Sequence, residues 1–357
     1  MRIAFITPSL TMGGYEKVII AYANELNKRG HQVDILCGFK KGELINDIDS
    51  GVCIYDFQAR ARKFIIPLTK YLKKKHVDIL YCPFRSYNSI GVIAKKISRV
   101  NTLVYATQHG FQKDGKIEKL IKGRIIQHAD RLIAVTQTVA EYEAKEMNID
   151  VQRFTVLNNP VYDSTHIISP KEHPWFVEDI PIIAVCGRIT KDKGQVFCIK
   201  ILEILNRTMA VRMLVLGDGP ELEKCKQLAS ALHIEGRVDF LGYVDNPMGY
   251  MQKCRLLLHT ALAEGFGNII VEALAVNIPV CTTNCTGPLY IIKDGKYGIN
   301  LGNVYEENFL ETAADKVLSI LTGKKKFKGL QERAADFEVK KATDMLLSLS
   351  YKVENNE

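Results

Sequence analysis

Long apolar runs are missing from this chain of 357 residues, and so are the features of disordered or fibrous proteins. No apolar run reaches the roughly 18 residues of a transmembrane helix, so we expect no membrane span. Proline is scarce, with 11 residues, and 47% hydrophobic against 25% charged residues is the balance of a globular protein. The opening segment 1–10 predicts a buried strand rather than a signal peptide. The length predicts two domains.

Cysteine pairs with metal-binding or disulfide spacing are also missing. The nine cysteines are odd in number, no two form a CxxC pair, and several lie in apolar, strand-like runs. This pattern disfavours a disulfide framework and a zinc site. Free thiols are typical of a reducing compartment, so we expect a cytoplasmic protein.

Positive charge is in excess, and the excess lies in the first half of the chain. The net charge is +8; residues 1–165 carry 25 basic and 16 acidic side chains, whereas residues 166–357 carry 23 and 24. A basic first half predicts an anionic partner, which is a nucleic acid, a phosphorylated ligand or a membrane surface.

Short β-branched runs alternate with amphipathic segments, a pattern typical of βαβ units and parallel sheets. Segment 164–179, which holds two prolines and the sole tryptophan, breaks this rhythm and predicts an interdomain linker. We therefore expect an α/β fold of two Rossmann-like domains, with ligands at the carboxyl ends of the strands. The predicted strands are 2–6, 33–37, 52–55, 79–81, 102–105, 132–135 and 155–157, then 181–186, 212–216, 238–241, 255–259, 279–282 and 298–301.

The strongest chemical signal follows the predicted strand 255–259. Two glycines there permit a tight turn or a close approach to a ligand. The helix predicted from residue 268 to 275 would offer its first N–H groups to a phosphate. Glu264 before the helix and Glu272 inside it could face one cleft; the alternative is a surface loop and a solvated glutamate. The residues concerned are Glu264, Gly265, Phe266, Gly267, Asn268, Ile269 and Glu272.

A second signal is the segment 187–194, which follows the first strand of the second half. Arg188 and Lys193 lie in a strand-to-helix loop, where two cations could neutralise the charge of a diphosphate. The alternative is a solvated basic turn.

Two weaker signals lie in the first half. Gly13-Gly14 follows the first strand and could bring backbone N–H groups to a phosphate, or it could form a plain turn. His109 follows the strand 102–105 and could orient a substrate or shuttle a proton, or it could be structural.

The motifs of several other chemistries are incomplete or absent. The segment 217–222 resembles a dinucleotide fingerprint, but the third glycine position holds Leu222. The GxxxxGK[ST] phosphate loop is absent, and we find no serine hydrolase elbow. The literal DxD at 47–49 falls in a weakly patterned polar segment, which we interpret as a solvated loop.

Taken together, the motifs resemble those of the retaining GT-B fold glycosyltransferases of family 4 (glycosyl transferases group 1). The resemblance covers nearly the whole chain, and it includes the two glutamates with seven residues between them. It departs from the family at Tyr290, where many members have an acidic residue, and at Asn277, which replaces a glycine but tolerates positive φ. The segments concerned are 13–16, 29–33, 109, 158–161, 173–176, 187–188, 193–194, 217–220, 240–242, 264 and 272.

The resemblance implies two Rossmann-like domains that face a central cleft. The first, 1–168, would bind the acceptor; the second, 169–337, would bind the nucleotide sugar. A C-terminal helix in 338–357 would pack back toward the first domain, and the apolar period predicts this helix over 339–353.

The resemblance also implies a role for each matched residue. Arg188 and Lys193 would hold the diphosphate of the donor, and Glu272 would bind the ribose. Glu264 would contact the transferred sugar, and His109 would help to place it. The catalytic residues implied are Glu264, His109, Arg188 and Lys193. The donor-binding residues implied are Gly13, Gly14, Arg188, Lys193, Tyr243, Val244, Glu264, Gly265, Phe266, Gly267, Asn268, Ile269 and Glu272. No metal is implied.

The function predicted is transfer of one sugar, with retention, from a nucleotide diphosphate sugar to a carbohydrate acceptor. UDP is the favoured nucleotide, and the acceptor is expected to be lipid-linked, as in surface polysaccharide or O-antigen synthesis. The alternatives are a non-catalytic sugar-nucleotide-binding subunit and an epimerase or phosphorylase with this fold. No motif for nucleic acid explains the basic first half.

A basic amphipathic stretch over 60–75 raises the further hypothesis of attachment to an anionic membrane at its inner face. The alternative is an ordinary domain helix with a solvated basic face.

Overall fold

The computed structural model describes residues 1–11, 13–112, 114–165 and 168–351. The chain forms two compact units. The first comprises Met1–Val161 together with the segment that begins at Phe337, and the second is Tyr162–Asp336. The first boundary between the units, after Val161, lies before the predicted boundary at 168/169. The second, after Asp336, lies close to the predicted boundary at 337/338. Residues 352 and 353 of the predicted C-terminal helix lie outside the described residues.

The first unit is built on a parallel sheet of seven strands in the order β3-β2-β1-β4-β5-β6-β7. Five helices lie between its strands. The strands are β1 Arg2–Thr7, β2 Gln32–Cys37, β3 Cys53–Asp56, β4 Ile79–Pro83, β5 Leu103–Gln108, β6 Arg131–Ala134 and β7 Phe154–Val156. The helices are α1 Gly14–Lys28, α2 Ile65–Lys75, α3 Phe84–Ser98, α4 Lys116–Ile126 and α5 Gln137–Met147.

The second unit repeats this architecture with a parallel sheet of six strands in the order β10-β9-β8-β11-β12-β13. The strands are β8 Ile182–Cys186, β9 Arg212–Leu216, β10 Val238–Gly242, β11 Leu256–His259, β12 Val280–Thr282 and β13 Gly298–Asn300. The helices are α6 Gln195–Asn206, α7 Leu222–Ala231, α8 Pro247–Met251, α9 Asn268–Ala275, α10 Thr286–Ile291, α11 Phe309–Leu321 and α12 Leu330–Ala334.

The predicted strands are confirmed, with small shifts at their ends. Apolar β-branched runs form them because both faces of each sheet are covered by helices, which buries the side chains on both sides. The strand predicted at 102–105 is longer in the structure and ends at Gln108. The apolar pattern does not predict this extension, because the strand ends in polar residues. One of them, Thr107, is fully buried, and its hydroxyl donates to the Cys82 carbonyl at 2.8 Å.

The last described helix, α13 Val339–Tyr351, belongs to the first unit and packs against α1. Arg29 at the end of α1 forms an ion pair of 2.5 Å with Asp344 and donates to the Lys340 carbonyl. Arg131 donates to the Leu349 carbonyl at 3.0 Å. No helix in the described part of the chain has the length and apolar character needed to cross a bilayer.

The predicted linker over 164–179 is wrong for its second half, because that half packs on the second unit. Trp175 lies in a short 3₁₀ turn, and the Arg212 guanidinium sits 4.8 Å from its ring centroid. Arg212 also binds Glu178 with two hydrogen bonds of 2.7 and 2.8 Å. Pro174 and Trp175 therefore form part of a turn that is fixed to the surface of the second unit. Residues 166 and 167 of the prediction lie outside the described residues.

A buried ion pair connects segments of the first unit at the start of α3. Arg85 has no exposed surface, and its guanidinium donates twice to the equally buried Glu143 on α5, at 2.7 and 2.8 Å. A third contact of 3.3 Å reaches Asp114 in the loop after β5. The network thus ties three segments of the unit together.

Burial is costly for this pair. It raises the pKa of Glu143 above its ordinary value even though the hydrogen bonds and charge of Arg85 oppose the shift. The Coulomb gain therefore does not fully recover the desolvation cost of the carboxylate. The pair matters for stability mainly because removing one partner leaves the charge of the other buried without compensation.

We predict that Glu143→Leu lowers the free energy of unfolding by about 3–5 kcal/mol, because the Arg85 charge remains buried without its main partner. The double variant Arg85→Met with Glu143→Leu should be less destabilised than Glu143→Leu alone. Urea unfolding followed by circular dichroism measures both.

The matched control is Glu203→Leu, which breaks the i,i+4 pair with Arg207, whose side chain is 66% exposed, and should leave the unfolding midpoint unchanged. A double variant less stable than the single variant would contradict this account of the buried pair.

Candidate active site

The site in the second unit is formed where two strands that are distant in sequence lie side by side. β8 and β11 pair in parallel, with Ile183 opposite Leu256 and Ala184 opposite Leu257. Parallel strands bring their carboxyl ends to the same edge of a sheet. The loop after β8, which carries Arg188 and Lys193, therefore lies beside the loop after β11, which carries Glu264.

Backbone contacts fix these two loops to each other. Gly194 has φ of +64°, and a Cβ there would lie 2.3 Å from the Thr260 carbonyl oxygen, so no other residue fits without displacement. The Thr260 hydroxyl donates to the Gly194 carbonyl at 2.8 Å, and Leu262 N donates to the Asp192 carbonyl at 2.8 Å. Lys193 is thereby held at a defined distance from the second loop.

Lys193 and Glu264 form an ion pair at this edge of the sheet. The Lys193 ammonium donates to Oε2 of Glu264, whose side chain is 18% exposed. His259, the last residue of β11, places Nε2 at 3.9 Å from the same oxygen, and its Nδ1 lies 3.0 Å from the Thr282 hydroxyl. A carboxylate is therefore held between a cation and an imidazole.

The surroundings of Glu264 keep it ionised. Burial alone would raise the pKa of its carboxyl, but the interactions with His259 and with the positive charge of Lys193 outweigh burial and hold the pKa at about 2. An ionised carboxylate only accepts hydrogen bonds. Glu264 is thus suited to bind hydroxyl groups or to face positive charge, and it is unsuited to donate a proton.

The helix α9 begins beside Glu264, at the predicted residue. Gly267 caps the helix with φ of +97°, and its carbonyl accepts from Ile270 N at 2.9 Å. The segment 265–267 is buried. The N–H groups of the first turn, which includes Asn268 and Ile269, belong to the positive end of the helix dipole and suit an anion.

Glu272, one turn further along α9, is buried and not solvated. The interpretation of Glu272 as a surface residue is therefore wrong. Helix α9 is followed by Asn277, whose φ of +61° confirms that asparagine adopts the left-handed conformation at this position.

The remaining predicted donor residues of the second unit differ in exposure. Arg188 is exposed, and its carbonyl accepts from Gln195 Nε2 at 2.9 Å, which fixes the backbone of the loop. Tyr243 and Val244 follow β10; the tyrosine side chain is exposed and Val244 is half-buried.

The first unit contains the other predicted residues. His109 follows β5 and lies among aromatic rings, with its own centroid 4.8 Å from that of Tyr15 and 6.3 Å from that of Phe84. Burial lowers the pKa of His109 to about 3, although a hydrogen bond with Asn159 opposes the shift. His109 is therefore neutral at physiological pH. Gly13-Gly14 forms the start of α1, with Gly14 exposed.

Sequence reasoning missed two residues of these environments. The sequence pattern at His259 predicts only a strand. A polar residue at the carboxyl end of an apolar parallel strand also indicates a site residue, because ligands bind at that edge of the sheet. Phe84 has φ of +57°, which is rare for an aromatic residue, and it packs on Tyr15 beside His109. No sequence pattern predicts a positive φ at a phenylalanine.

Within the described ranges, no cluster of three or more His, Cys, Asp or Glu side chains is arranged to hold a metal ion. All nine cysteines are free thiols.

Two family models match the chain, one for each half. The model described as glycosyl transferases group 1 matches residues 170–337, and the model described as glycosyltransferase family 4 matches residues 12–164.

Two curated relatives are similar over almost their full length. One is the GalNAc-α-(1→4)-GalNAc-α-(1→3)-diNAcBac-PP-undecaprenol α-1,4-N-acetyl-D-galactosaminyltransferase of Campylobacter jejuni, 24% identical over 99% of both chains. The other is the lipopolysaccharide 1,6-galactosyltransferase of Salmonella typhimurium, 26% identical over 92% of this chain and 91% of that protein.

Solved structures share the fold. The apo form of the lipopolysaccharide outer core galactosyltransferase WaaB superposes with a TM-score of 0.74 at 22% identity, covering 99% of each chain. Anabaena HepE in complex with UDP-glucose superposes with a TM-score of 0.80 at 18% identity, also covering 99% of each chain. With both halves of the chain matched by glycosyltransferase models and with relatives similar over the full length, the chain belongs to the family 4, group 1 glycosyltransferases and has their GT-B fold.

Proposed function

We propose that this glycosyltransferase moves one hexose-type sugar, with retention of configuration, from a UDP-sugar to a lipid-linked carbohydrate in surface polysaccharide or O-antigen synthesis. The observation that carries the proposal is the ion pair of Glu264 with Lys193 beside the N-terminus of α9. This arrangement combines a site for an anion with a carboxylate suited to sugar hydroxyls.

The names of the relatives support the proposed donor and the proposed acceptor. The Campylobacter relative is named for an undecaprenol-linked acceptor, and the Salmonella relative for lipopolysaccharide. Anabaena HepE was solved with UDP and with UDP-glucose. These descriptions favour a UDP-sugar as donor and a lipid-linked glycan as acceptor.

The donor site follows from the chemistry of each group. Arg188 and Lys193 would bind the diphosphate, because two fixed cations stabilise the charge that grows on the leaving nucleotide. The first N–H groups of α9, at Asn268 and Ile269, would add backbone donors, and the buried Glu272 would accept from the ribose hydroxyls. The base would stack on Tyr243 beside Val244.

Glu264 would bind hydroxyls of the transferred sugar. A fixed carboxylate near the reacting carbon also stabilises the positive charge of an oxocarbenium-like transition state. A donor diphosphate would compete with Glu264 for Lys193, so donor binding would free the carboxylate for the sugar. No metal ion is needed in this scheme, because the protein supplies the cations.

The first unit would contribute His109, Gly13 and Gly14. The neutral imidazole of His109 would position the transferred sugar by hydrogen bonding, since a group with a pKa of about 3 is too weak a base to carry a proton at neutral pH. The backbone at Gly13-Gly14 would approach the diphosphate at the start of α1.

We predict that Arg188→Ala lowers kcat/KM for the donor by about 10²–10³-fold, because a cation aimed at the leaving group is lost. Glu272→Ala should mainly raise KM for the donor, by about 10–100-fold, because a charged hydrogen bond to the ribose is lost. Nucleotide release with a lipid-linked acceptor measures both. The anomeric proton of the product, followed by NMR, should have the configuration of the donor.

Matched controls are Arg207→Ala, just after the end of α6, and Glu223→Ala on α7, two exposed side chains whose loss should leave turnover unchanged. Full activity of both Arg188→Ala and Glu272→Ala would refute the site assignment. An inverted product would refute retention. Release of free nucleotide with an isomerised sugar would support the epimerase alternative, and absence of transfer with every donor would support the non-catalytic subunit.

We predict that Glu264 makes stability acid-sensitive. Its pKa is about 2 when folded, below its value when unfolded, so it contributes stability above about pH 4.5 that is lost as pH falls toward 2. The difference amounts to about 2–3 kcal/mol. In Glu264→Gln this part of the loss should disappear, as measured by urea unfolding between pH 5 and pH 3. Parallel pH curves for the two proteins would show that Glu264 is not held ionised.

A further inference from the structure

The imidazole of His109 is held by a hydroxyl group at the end of β5 and by three aromatic rings. Its Nε2 atom lies 3.0 Å from the Thr107 hydroxyl oxygen and 3.4 Å from the Tyr81 hydroxyl oxygen. The ring centroids of Tyr15, Tyr81 and Phe84 lie 4.8, 6.2 and 6.3 Å from that of the imidazole. Rings packed this closely leave the imidazole little room to turn.

Thr107 is itself fixed in the interior of the first unit. Asn88 on α3, which is also fully buried, binds the backbone of Thr107 twice. Its Oδ1 accepts from Thr107 N at 3.2 Å, and its Nδ2 donates to the Thr107 carbonyl at 3.1 Å. The Thr107 hydroxyl donates to the Cys82 carbonyl on β4 at 2.8 Å. Both α3 and β4 therefore set the position of this hydroxyl group.

The direction of the hydrogen bond between Thr107 and His109 follows from the number of hydrogens. A threonine hydroxyl has one hydrogen to donate and lone pairs with which to accept. Because that hydrogen is used at the Cys82 carbonyl, the oxygen accepts from Nε2 of His109. A neutral imidazole carries a single N–H group. The proton of His109 therefore lies on Nε2, and the lone pair lies on Nδ1.

Asn159 competes for this proton, since its interaction with the ring favours protonation of His109. Among the residues that the structure describes, however, no group forms a hydrogen bond of standard geometry with the buried Nδ1 atom. The bond of 3.0 Å between Nε2 and Thr107 is therefore the stronger of the two interactions. Thr107, and not Asn159, decides which nitrogen is protonated.

We propose that Thr107 is a positioning residue that fixes His109 as the Nε2–H tautomer, so that Nδ1 accepts a hydrogen bond from a hydroxyl group of the transferred sugar. The part that concerns the sugar rests on the proposed function, in which His109 meets that sugar. A buried nitrogen lone pair without a hydrogen bond is unfavourable, and a sugar hydroxyl would supply the missing donor. The opposite tautomer would face the same hydroxyl with an N–H group.

The first test is nitrogen NMR of the full chain with ¹⁵N-labelled histidine, recorded without substrate. The chemical shifts of the two ring nitrogens show which one carries the proton, and the signals of His109 are those missing from His109→Gln. We expect Nε2–H in the wild-type chain and in Thr107→Ser, which keeps the hydroxyl. In Thr107→Val the Nδ1–H tautomer should become the major form, because the Tyr81 hydroxyl can then donate to Nε2.

Thr102→Val is the matched control. Thr102 is fully buried just before β5, and within the described ranges its hydroxyl has no hydrogen-bond partner. The chemical change is the same as in Thr107→Val, but it lies at the opposite end of the strand. The tautomer of His109 should therefore stay that of the wild-type chain.

The second test separates the sugar from the nucleotide. Isothermal titration compares UDP, UDP-galactose and UDP-glucose as ligands of the wild-type chain, Thr107→Val and Thr107→Ser. We expect Thr107→Val to weaken the binding of the preferred UDP-sugar by about tenfold, because one hydrogen bond to the sugar is lost. Binding of UDP should not change, because UDP lacks the sugar that meets His109. Thr107→Ser should bind every ligand as the wild-type chain does.

A wild-type His109 protonated on Nδ1, or an unchanged tautomer in Thr107→Val, would overturn the positioning role of Thr107. An equal loss of UDP and UDP-sugar binding in Thr107→Val would also overturn it, by assigning Thr107 to general support of the fold. A changed tautomer with unchanged UDP-sugar binding would refute the contact between Nδ1 and the sugar. Failure of the wild-type chain to bind any UDP-sugar would count against the proposed function, and the nitrogen spectrum would still decide whether Thr107 sets the tautomer.

Discussion

The parallel pairing of β8 with β11 is the interaction on which the candidate site depends. These strands are far apart in sequence, yet Ile183 lies opposite Leu256, and the pairing brings the loops after both strands to one edge of the sheet. The contact of Gly194 with the Thr260 carbonyl then fixes their separation. Without this pairing Lys193 and Glu264 would be independent surface charges, which contribute little to structure or binding.

The balance between burial and neighbouring groups sets the ionisation of Glu264 and His109, and it has opposite outcomes at the two residues. Glu264 stays a carboxylate because neighbouring polar and cationic groups outweigh desolvation, whereas His109 stays neutral because they do not. At neutral pH neither group is poised to exchange a proton. The surroundings of Glu264 therefore provide fixed charge and hydrogen bonding, which would suit the proposed transfer reaction, whose charge develops between sugar and diphosphate.

The sequence predicted the alternating architecture, the start of α9 and the positions of the charged loops, because these depend on local periodicity and on the order of strands. It could not predict that α4 leaves Ile117, Leu120 and Ile121 exposed. The orientation of this helix depends on the pairing of Lys119 and on the space available at Gly123, which are tertiary contacts. The same limit explains the error at Trp175, where proline and tryptophan indicated a linker but Arg212 holds the segment on the domain. The roles of the individual site residues came from a family resemblance, and they remain proposals.

In the proposed site, Lys193 binds the diphosphate of a nucleotide. Isothermal titration of UDP into the wild-type chain and into Lys193→Met measures this contact. We predict that UDP binds the wild-type chain more tightly than ADP or GDP, and that Lys193→Met weakens UDP binding by about tenfold or more, because a charge-assisted hydrogen bond to phosphate is lost. Equal UDP binding by the two proteins, or no binding of any nucleoside diphosphate, would contradict the account.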